Sequence, residues 1–200
     1  MFFDDSARRY LATKTSVKQI KDSSANKGGV FSSSIAEVLT AFLLGDSYET
    51  QLLEDHDTQW GLIKDIMMLV SRYAQQETKL LLQLHEAAPE TPLFDLSEKT
   101  SELIFDLQDK IEEHVEEFAN NRDILSKVLR DYIPPVLTEK LGLDFIIDHL
   151  SSPELRPYRN AILSKKIASM AYYKNGTSWD TFTKDVDKNL EKAIVTVLND

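Results

Sequence analysis

The feature that most constrains the fold is a long series of apolar side chains spaced three and four residues apart. It begins at Trp60 and ends at Leu84, with one interruption at Glu77. The apolar positions in this first series are Trp60, Ile63, Met67, Val70, Ala74, Leu81 and Leu84. Alternating steps of three and four are typical of an amphipathic helix that packs through one face. We therefore predict one long helix here, with this series as its buried face.

A second series with the same spacing follows after a short break. Its members are Thr100, Ile104, Leu107, Ile111, His114 and Phe118. Pro89 and Pro92 lie between the two series, where they end one helix and precede the next. A short connection between two long helices favours antiparallel neighbours, so we predict a long antiparallel helical hairpin.

The remaining sequence also favours helices. Glycine and proline occur only six times each, and most of them lie between the predicted helices. Shorter helices are predicted at residues 123–132, 136–150, 157–173 and 178–198. Asn175-Gly176 is expected to end the third of these with a glycine of positive φ. The fold class is therefore mainly α, a multi-helix domain over residues 35–200.

Composition excludes several classes of function. The chain has no cysteine, which rules out disulfides and thiolate chemistry and favours a cytoplasmic location. Its net charge of −10 opposes nucleic acid, because binding a phosphate backbone requires clustered cations. The longest uninterrupted apolar runs are far shorter than the roughly 20 residues that span a bilayer. We expect neither a nucleic-acid nor a membrane partner.

The early segment from Ser16 to Glu37 differs from the rest. An extended stretch over 16–21 is predicted as a strand, and a loop rich in serine and glycine follows it. Ser34 and Glu37 have the spacing of a capping box, which predicts that a helix begins there. Free amides at a helix start favour a carboxylate or phosphate, so the pattern suggests an anion site. A flexible connection to a well-capped helix is the alternative.

The residues of this segment resemble a known family. The matching positions, in order, are Phe2-Phe3, Ala7-Arg8, Leu11, Val17, Ile20-Lys21-Asp22-Ser23-Ser24-Ala25-Asn26-Lys27-Gly28-Gly29-Val30 and Ser32-Ser33-Ser34. This run is similar to the end of the catalytic region in the large NAD-dependent glutamate dehydrogenases. The segment from Leu155 to Tyr173 also resembles a helix late in the same family.

The resemblance implies a division of the chain and a set of site residues. Residues 1–34 would end the NAD-binding and catalytic domain, as a strand-loop-helix remnant, and residues 35–200 would form the C-terminal helical domain. Asn26, Gly28 and Gly29 would lie beside the cofactor NAD. Val30 and Ser33 would bind the substrate. The implied reaction of the parent enzyme converts L-glutamate, NAD and water to 2-oxoglutarate, ammonia and NADH.

The chain lacks the parts that hydride transfer requires. It has no Gly-x-Gly-x-x-Gly fingerprint, and no catalytic residue is assigned in it. We therefore expect this fragment to be inactive alone, with NAD held mainly by upstream residues of a homo-oligomeric parent. The helical domain would serve structure or subunit assembly. The alternative is a non-catalytic α-helical module that binds another protein.

The acidic cluster around His114 invites a metal interpretation. Glu112, Glu113, Glu116 and Glu117 surround this imidazole. Helical di-metal sites use such ligands, but they need a Glu-x-x-His motif on two helices. A solvated acidic face with His114 partly buried is favoured instead, and no metal site is expected.

Overall fold

The computed structural model describes residues 3–21, 24 and 26–199, and the regular structure in this part of the chain is helical. The α-helices in order are α1 (Asp5–Lys14), α2 (Lys27–Ser33), α3 (Thr40–Leu44), α4 (His56–Ala87), α5 (Leu93–Glu112), α6 (Val115–Asn120), α7 (Arg122–Tyr132), α8 (Pro135–Leu141), α9 (Leu143–Leu150), α10 (Arg156–Asn175), α11 (Trp179–Lys188) and α12 (Leu190–Asn199). The π-helical segment Ser34–Leu39 joins α2 to α3, and another spans Glu49–Leu53. The mainly α fold class is confirmed.

The predicted strand is not confirmed. Residues 17–21 have no regular secondary structure, and no strand occurs anywhere in the described ranges. A strand is stabilised by hydrogen bonds to a neighbouring strand, and the described part of this chain offers none. Asp22, Ser23 and Ala25, which belong to the predicted loop, lie outside the described residues.

The long helix α4 is present, but the predicted buried face is wrong in its first half. Trp60, Ile63 and Met67 are 65%, 41% and 67% exposed. The buried positions are Thr58, Leu62, Asp65, Ile66, Leu69, Glu77, Leu80 and Leu81. Polar residues on this face have hydrogen-bond partners on other helices: Asp65 Oδ2 accepts a hydrogen bond of 2.7 Å from the backbone N–H of Val136. Hydrophobic periodicity does not detect polar residues that are buried through such hydrogen bonds. The spacing of apolar residues therefore predicted the wrong face of α4 as the buried one.

The second long helix, α5, buries the face that the sequence predicts, except at its end. Thr100, Ile104, Leu107 and Ile111 are all at most 8% exposed. The side chain of His114 is 50% exposed, because α5 has already ended at Glu112, so its predicted burial is wrong. α5 contacts α4 but packs most extensively on α10. The predicted hairpin is therefore not confirmed as the central packing unit.

Two of the shorter predicted helices are each divided in two. Gly142, with φ of +81°, separates α8 from α9, and Asn189 in an extended conformation separates α11 from α12. Gly176 does follow α10, but its φ is −58°, so the predicted positive φ is wrong. Its lack of a side chain serves packing: a Cβ there would lie 2.7 Å from Leu80 Cδ2. The glycine allows the end of α10 to approach α4.

One helical stretch, Lys27–Ser47, is long and apolar enough by length and composition to cross a membrane. Core helices of folded domains have the same properties. In this stretch Ile35 and Leu39 are fully buried and belong to the core, together with residues of α5, α7 and α10. The stretch contributes to the core of the domain, and the absence of a membrane partner stays a prediction.

Candidate functional site

The helix that carries the candidate site begins earlier than the capping-box pattern predicts. α2 begins at Lys27, directly after Asn26, and the helical conformation continues through Ser34. Ser34 does not cap a helix start; its hydroxyl donates a 2.7 Å hydrogen bond to the carbonyl oxygen of Phe31. The prediction of free amides at Ser34 is therefore wrong, because these residues lie inside a helical run. The predicted domain boundary near residue 34 also falls within this run, and the division stays a prediction.

Three of the predicted ligand residues share one face of this helix. Asn26, Val30 and Ser33 follow at steps of four and three, which brings them to the same side. All three are exposed, and Val30 is 71% exposed despite being aliphatic. The face therefore presents an amide, an apolar group and a hydroxyl to the outside of the helical domain. We call Asn26, Val30 and Ser33 the outer face of α2.

The two glycines of the motif have different surroundings. A Cβ on Gly28 would lie 3.0 Å from Val70 Cγ1, so this glycine permits close contact between α2 and α4. A Cβ on Gly29 would meet nothing within 4 Å. Of the two, Gly29 therefore leaves backbone open to a ligand from outside. The role of both glycines beside a cofactor stays a prediction.

The inner side of α2 is fixed by aromatic contacts. The Phe31 ring makes edge-to-face contacts with Tyr73 on α4 and Tyr132 on α7, at centroid distances of 5.3 and 5.8 Å. Such aromatic pairs contribute about 0.5–1.5 kcal/mol each beyond the area they bury. Phe31 directly follows Val30, so these contacts help to set the orientation of the outer face.

A buried carboxylate anchors the start of α2. Glu77, on α4, is 8% exposed, and its two oxygens accept hydrogen bonds of 3.0 and 3.1 Å from Lys27 Nζ. The hydroxyl of Tyr173 on α10 donates to the same carboxylate at 3.4 Å. Burial raises the pKa of the Tyr173 phenol, and the neighbouring Glu77 charge raises it further. Lys27, between Asn26 and Gly28 in the motif, is thus tied to α4 through Glu77, and Glu77 is in turn bonded to α10.

A second polar cluster lies beneath Phe31, and the sequence analysis missed it. Lys166 Nζ of α10 lies 2.5 Å from Asp131 Oδ2 and 3.7 Å from the centroid of the Tyr73 ring. Arg72 binds the other Asp131 oxygen at 2.8 Å, and the Tyr73 hydroxyl donates to the Asp131 carbonyl oxygen. Burial lowers the pKa of Lys166 to about 8. The only sign of this cluster in the sequence is that Lys166 lies next to the apolar positions of a predicted helix.

A separate cavity of about 640 Å³ lies away from α2. It is lined by residues of α6, α7, α9 and α10, including Glu116, Asp148, Arg156 and Arg159. Arg159 is 4% exposed and donates to Glu116 at 3.0 Å, while Asn160 donates to the second Glu116 oxygen. Glu116 therefore holds two helices together and is not simply part of a solvated acidic face. Its pKa is lowered, first by the Asn160 hydrogen bond and then by the Arg159 charge.

The arrangement on α2 is suited to binding rather than to chemical transformation. An amide, a hydroxyl and an open backbone position can recognise a carboxylate or amide, but none of them is an acid or base near neutral pH. Among the residues that the structure describes, no group of three His, Asp or Glu side chains is placed to hold a metal ion. That no catalytic residue lies in this chain stays a prediction.

Comparison with known proteins finds three related enzymes. The chain is 32% identical over 187 residues to glutamate dehydrogenase 2 of Dictyostelium discoideum, covering 91% of this chain and 17% of that protein. It is 32% identical over 168 residues to the NAD-specific glutamate dehydrogenase of Neurospora crassa, covering 81% and 15%. A probable NAD-specific glutamate dehydrogenase of Schizosaccharomyces pombe is 29% identical over 187 residues, covering 91% and 16%.

The chain therefore spans about one sixth of the length of the curated relatives that it matches. No family model matches the sequence. No solved structure matches it either.

Proposed function

By sequence the chain belongs to the family of NAD-specific glutamate dehydrogenases, as the counterpart of about one sixth of their length, and we propose that it forms part of such an enzyme. The parent reaction converts L-glutamate, NAD and water to 2-oxoglutarate, ammonia and NADH. This part supplies one wall of the substrate site and a helical domain that supports it. The observation that carries the proposal is the 32% identity over 91% of the chain.

The outer face of α2 is suited to contact with glutamate. The Ser33 hydroxyl would donate a hydrogen bond to a substrate carboxylate, and Val30 would contact the aliphatic part of the side chain. The Ser33 hydroxyl is neutral, so positively charged residues elsewhere in the parent would have to balance the negative charge of the substrate carboxylates. Because α2 is packed on α4 and α7 through Gly28 and Phe31, these groups would be held in place before the substrate binds.

NAD, when bound, accepts the hydride. The residues of this chain fit only one edge of such a cofactor. The exposed amide of Asn26 can hydrogen-bond a carboxamide, and the space beyond Gly29 allows a ring to approach the backbone. The sequence has no fingerprint for the diphosphate, so that part would be held elsewhere in the parent.

The test is a set of alanine variants in the full-length parent enzyme. Ser33→Ala and Asn26→Ala are expected to lower kcat/KM for glutamate and NAD by about tenfold or more, because a hydrogen bond to a charged or buried polar group contributes about 1.5–3 kcal/mol. Ser32→Ala is the matched control. Its hydroxyl donates to the carbonyl oxygen of Gly29 at 2.8 Å, and kcat/KM should change by less than about twofold.

If the Ser33→Ala and Asn26→Ala variants fold and have the same kcat/KM as the Ser32→Ala control, the assignment of these residues to the substrate site is wrong. A purified 200-residue chain that produces NADH from glutamate would contradict the view that catalytic groups lie elsewhere. If the parent shows no glutamate-dependent NAD reduction, a non-catalytic interaction module becomes the better description.

A further inference from the structure

The cavity between α6, α7, α9 and α10 has the size of a ligand site. Its volume of about 640 Å³ lies within the range of roughly 300–1,000 Å³ that is usual for pockets that bind small molecules. Three of the seven arginines of the chain line it, namely Arg122, Arg156 and Arg159. In a chain with a net charge of −10, three guanidinium groups around one cavity are more than composition explains.

Arg159 is fixed by its neighbours and still has a donor to offer. Its side chain is 5% exposed, and its guanidinium carries five N–H groups. Nη1 donates to Ser151 at 3.2 Å, and Nη2 donates to Glu116 at 3.0 Å and to Asn160 at 2.7 Å. Nε also donates to Asn160, at 3.0 Å. The second N–H of Nη1 has no acceptor among the described residues, and a buried donor without an acceptor favours a ligand oxygen.

Arg156 has the most donors left for a ligand. Its guanidinium makes no hydrogen bond or ion pair with any residue in the described part of the chain. The pKa of Glu116 is lowered first by the Asn160 hydrogen bond and then by Arg159. The Arg156 charge lowers it further, so this guanidinium lies near the acid that lines the cavity. Arg156 and Arg159 are three residues apart on α10, which places them on the same side of that helix.

The acids of the cavity are already engaged. Both oxygens of Glu116 accept hydrogen bonds from α10. Asp148 accepts from Arg122 at 3.2 Å, and Asp144, which lies outside the lining, accepts from the same arginine at 2.7 Å. The three arginines therefore exceed the two lining acids by one charge, and Asp144 offsets part of that excess. This balance favours a singly charged carboxylate over a phosphate, which carries up to about two charges.

The rest of the lining is apolar or neutral. Ala119, Leu125 and Ile147 belong to the hydrophobic core and also line the cavity, and Asn120 adds a neutral amide. A pocket that combines apolar side chains with a few polar groups suits a small molecule with a charged end and a carbon chain.

We propose that this cavity binds a small organic carboxylate. Its carboxylate accepts hydrogen bonds from the Arg156 guanidinium and from the remaining N–H of Arg159. Its carbon chain lies against Leu125 and Ile147. The planar guanidinium matches the two oxygens of a carboxylate, which gives such pairs their geometric specificity.

Titration with two matched ligands tests the proposal in the 200-residue chain. Hexanoate is the probe, and hexanamide, which has a similar shape without the charge, is the control ligand. NMR titration should give a Kd for hexanoate at least about tenfold lower than for hexanamide, because hydrogen bonds to charged groups are the stronger ones. The backbone amides that shift should be those of residues lining the cavity. Inorganic phosphate at the same ionic strength should bind more weakly than hexanoate.

Substitutions of exposed arginines test which side chain holds the ligand. Arg156→Gln should weaken hexanoate binding by about tenfold or more and leave hexanamide binding unchanged, with an unchanged circular dichroism spectrum. Arg156→Lys keeps the charge but loses the planar fork, so its affinity should be intermediate. Arg130→Gln is the matched control. It removes the same charge from an exposed position on α7 outside the cavity lining, and the Kd should change by less than about twofold.

Three results would overturn the proposal. One is equal affinity for hexanoate and hexanamide, or tighter binding of phosphate than of hexanoate. Another is an affinity for hexanoate that Arg156→Gln leaves unchanged or that Arg130→Gln lowers equally. The third is a set of shifted amides that lies outside the cavity. None of these outcomes bears on the glutamate assignment, since the cavity includes no residue of the outer face of α2.

Discussion

Lys166 should make the stability of the domain depend on pH in a way that a methionine at the same position cannot. Its side chain is 11% exposed, and burial lowers its pKa from 10.5 to about 8 despite the nearby Asp131 charge. The folded state therefore releases this proton more readily than the unfolded state. At pH 7 the lysine is charged in both states. The lower pKa in the folded state then corresponds to a loss of about 3 kcal/mol in the free energy of unfolding.

The sign follows from the number of bound protons. Between pH 8 and pH 10.5 the unfolded chain holds the Lys166 proton and the folded chain has largely lost it, so the stability contribution rises with pH. Below pH 8 the penalty is fully present. From pH 7 to pH 9.5, wild type should gain about 2 kcal/mol relative to Lys166→Met. Changes in packing and in Asp131 pairing with Arg72 add a nearly constant offset that cancels in this comparison.

Urea denaturation of both chains at several pH values measures this difference. The predicted result is a gap in the free energy of unfolding that shifts by about 2 kcal/mol in favour of wild type as pH rises. A gap that stays constant to pH 9.5 would mean that the ion pair with Asp131 and the Tyr73 ring outweigh burial. That outcome would refute the reasoning.

Three further variants test the packing. Gly176→Ala should destabilise the chain by about 1–3 kcal/mol in urea denaturation, because the added Cβ would lie 2.7 Å from Leu80 Cδ2, and an unchanged midpoint would contradict this. Gly29→Ala, with nothing within 4 Å of the new Cβ, should instead stabilise the helix by about 0.5–1 kcal/mol in the same assay. A loss of stability would contradict the open space beside this glycine. Glu77→Ala should lower the free energy of unfolding by about 1–3 kcal/mol, because Lys27 and the buried Tyr173 hydroxyl both lose their acceptor. A change near zero would contradict the anchoring role of Glu77.

Hydrophobic spacing predicted the helices better than it predicted their buried faces. The spacing from Thr100 to Ile111 identified the true inner face of α5, because that face is apolar apart from small hydroxyl groups. On α4 the inner face contains Asp65 and Glu77, whose partners come from distant parts of the chain. Such polar burial cannot be read from local periodicity, and the exposed Trp60 and Met67 were assigned to the core instead.

The candidate site was predicted as a set of residues but not in its geometry. The order of residues from Asn26 to Ser34 carries the family resemblance. The capping-box pattern at Ser34 misled the placement of the helix start, because the preceding glycines do not prevent a helix when Phe31 and Lys27 are anchored. The common outer face of Asn26, Val30 and Ser33 became visible only once the helix was known to begin at Lys27.

The central claim is that the outer face of α2 forms part of a glutamate site. Val30→Cys in the parent enzyme places a thiol at the most exposed position of this face, and its rate of alkylation can be followed by mass spectrometry of the peptide that contains it. With NADH and 2-oxoglutarate present, the rate should fall by about tenfold or more, because a bound substrate covers the thiol. The same rate with and without these ligands, in an enzyme that still turns over, would contradict the claim.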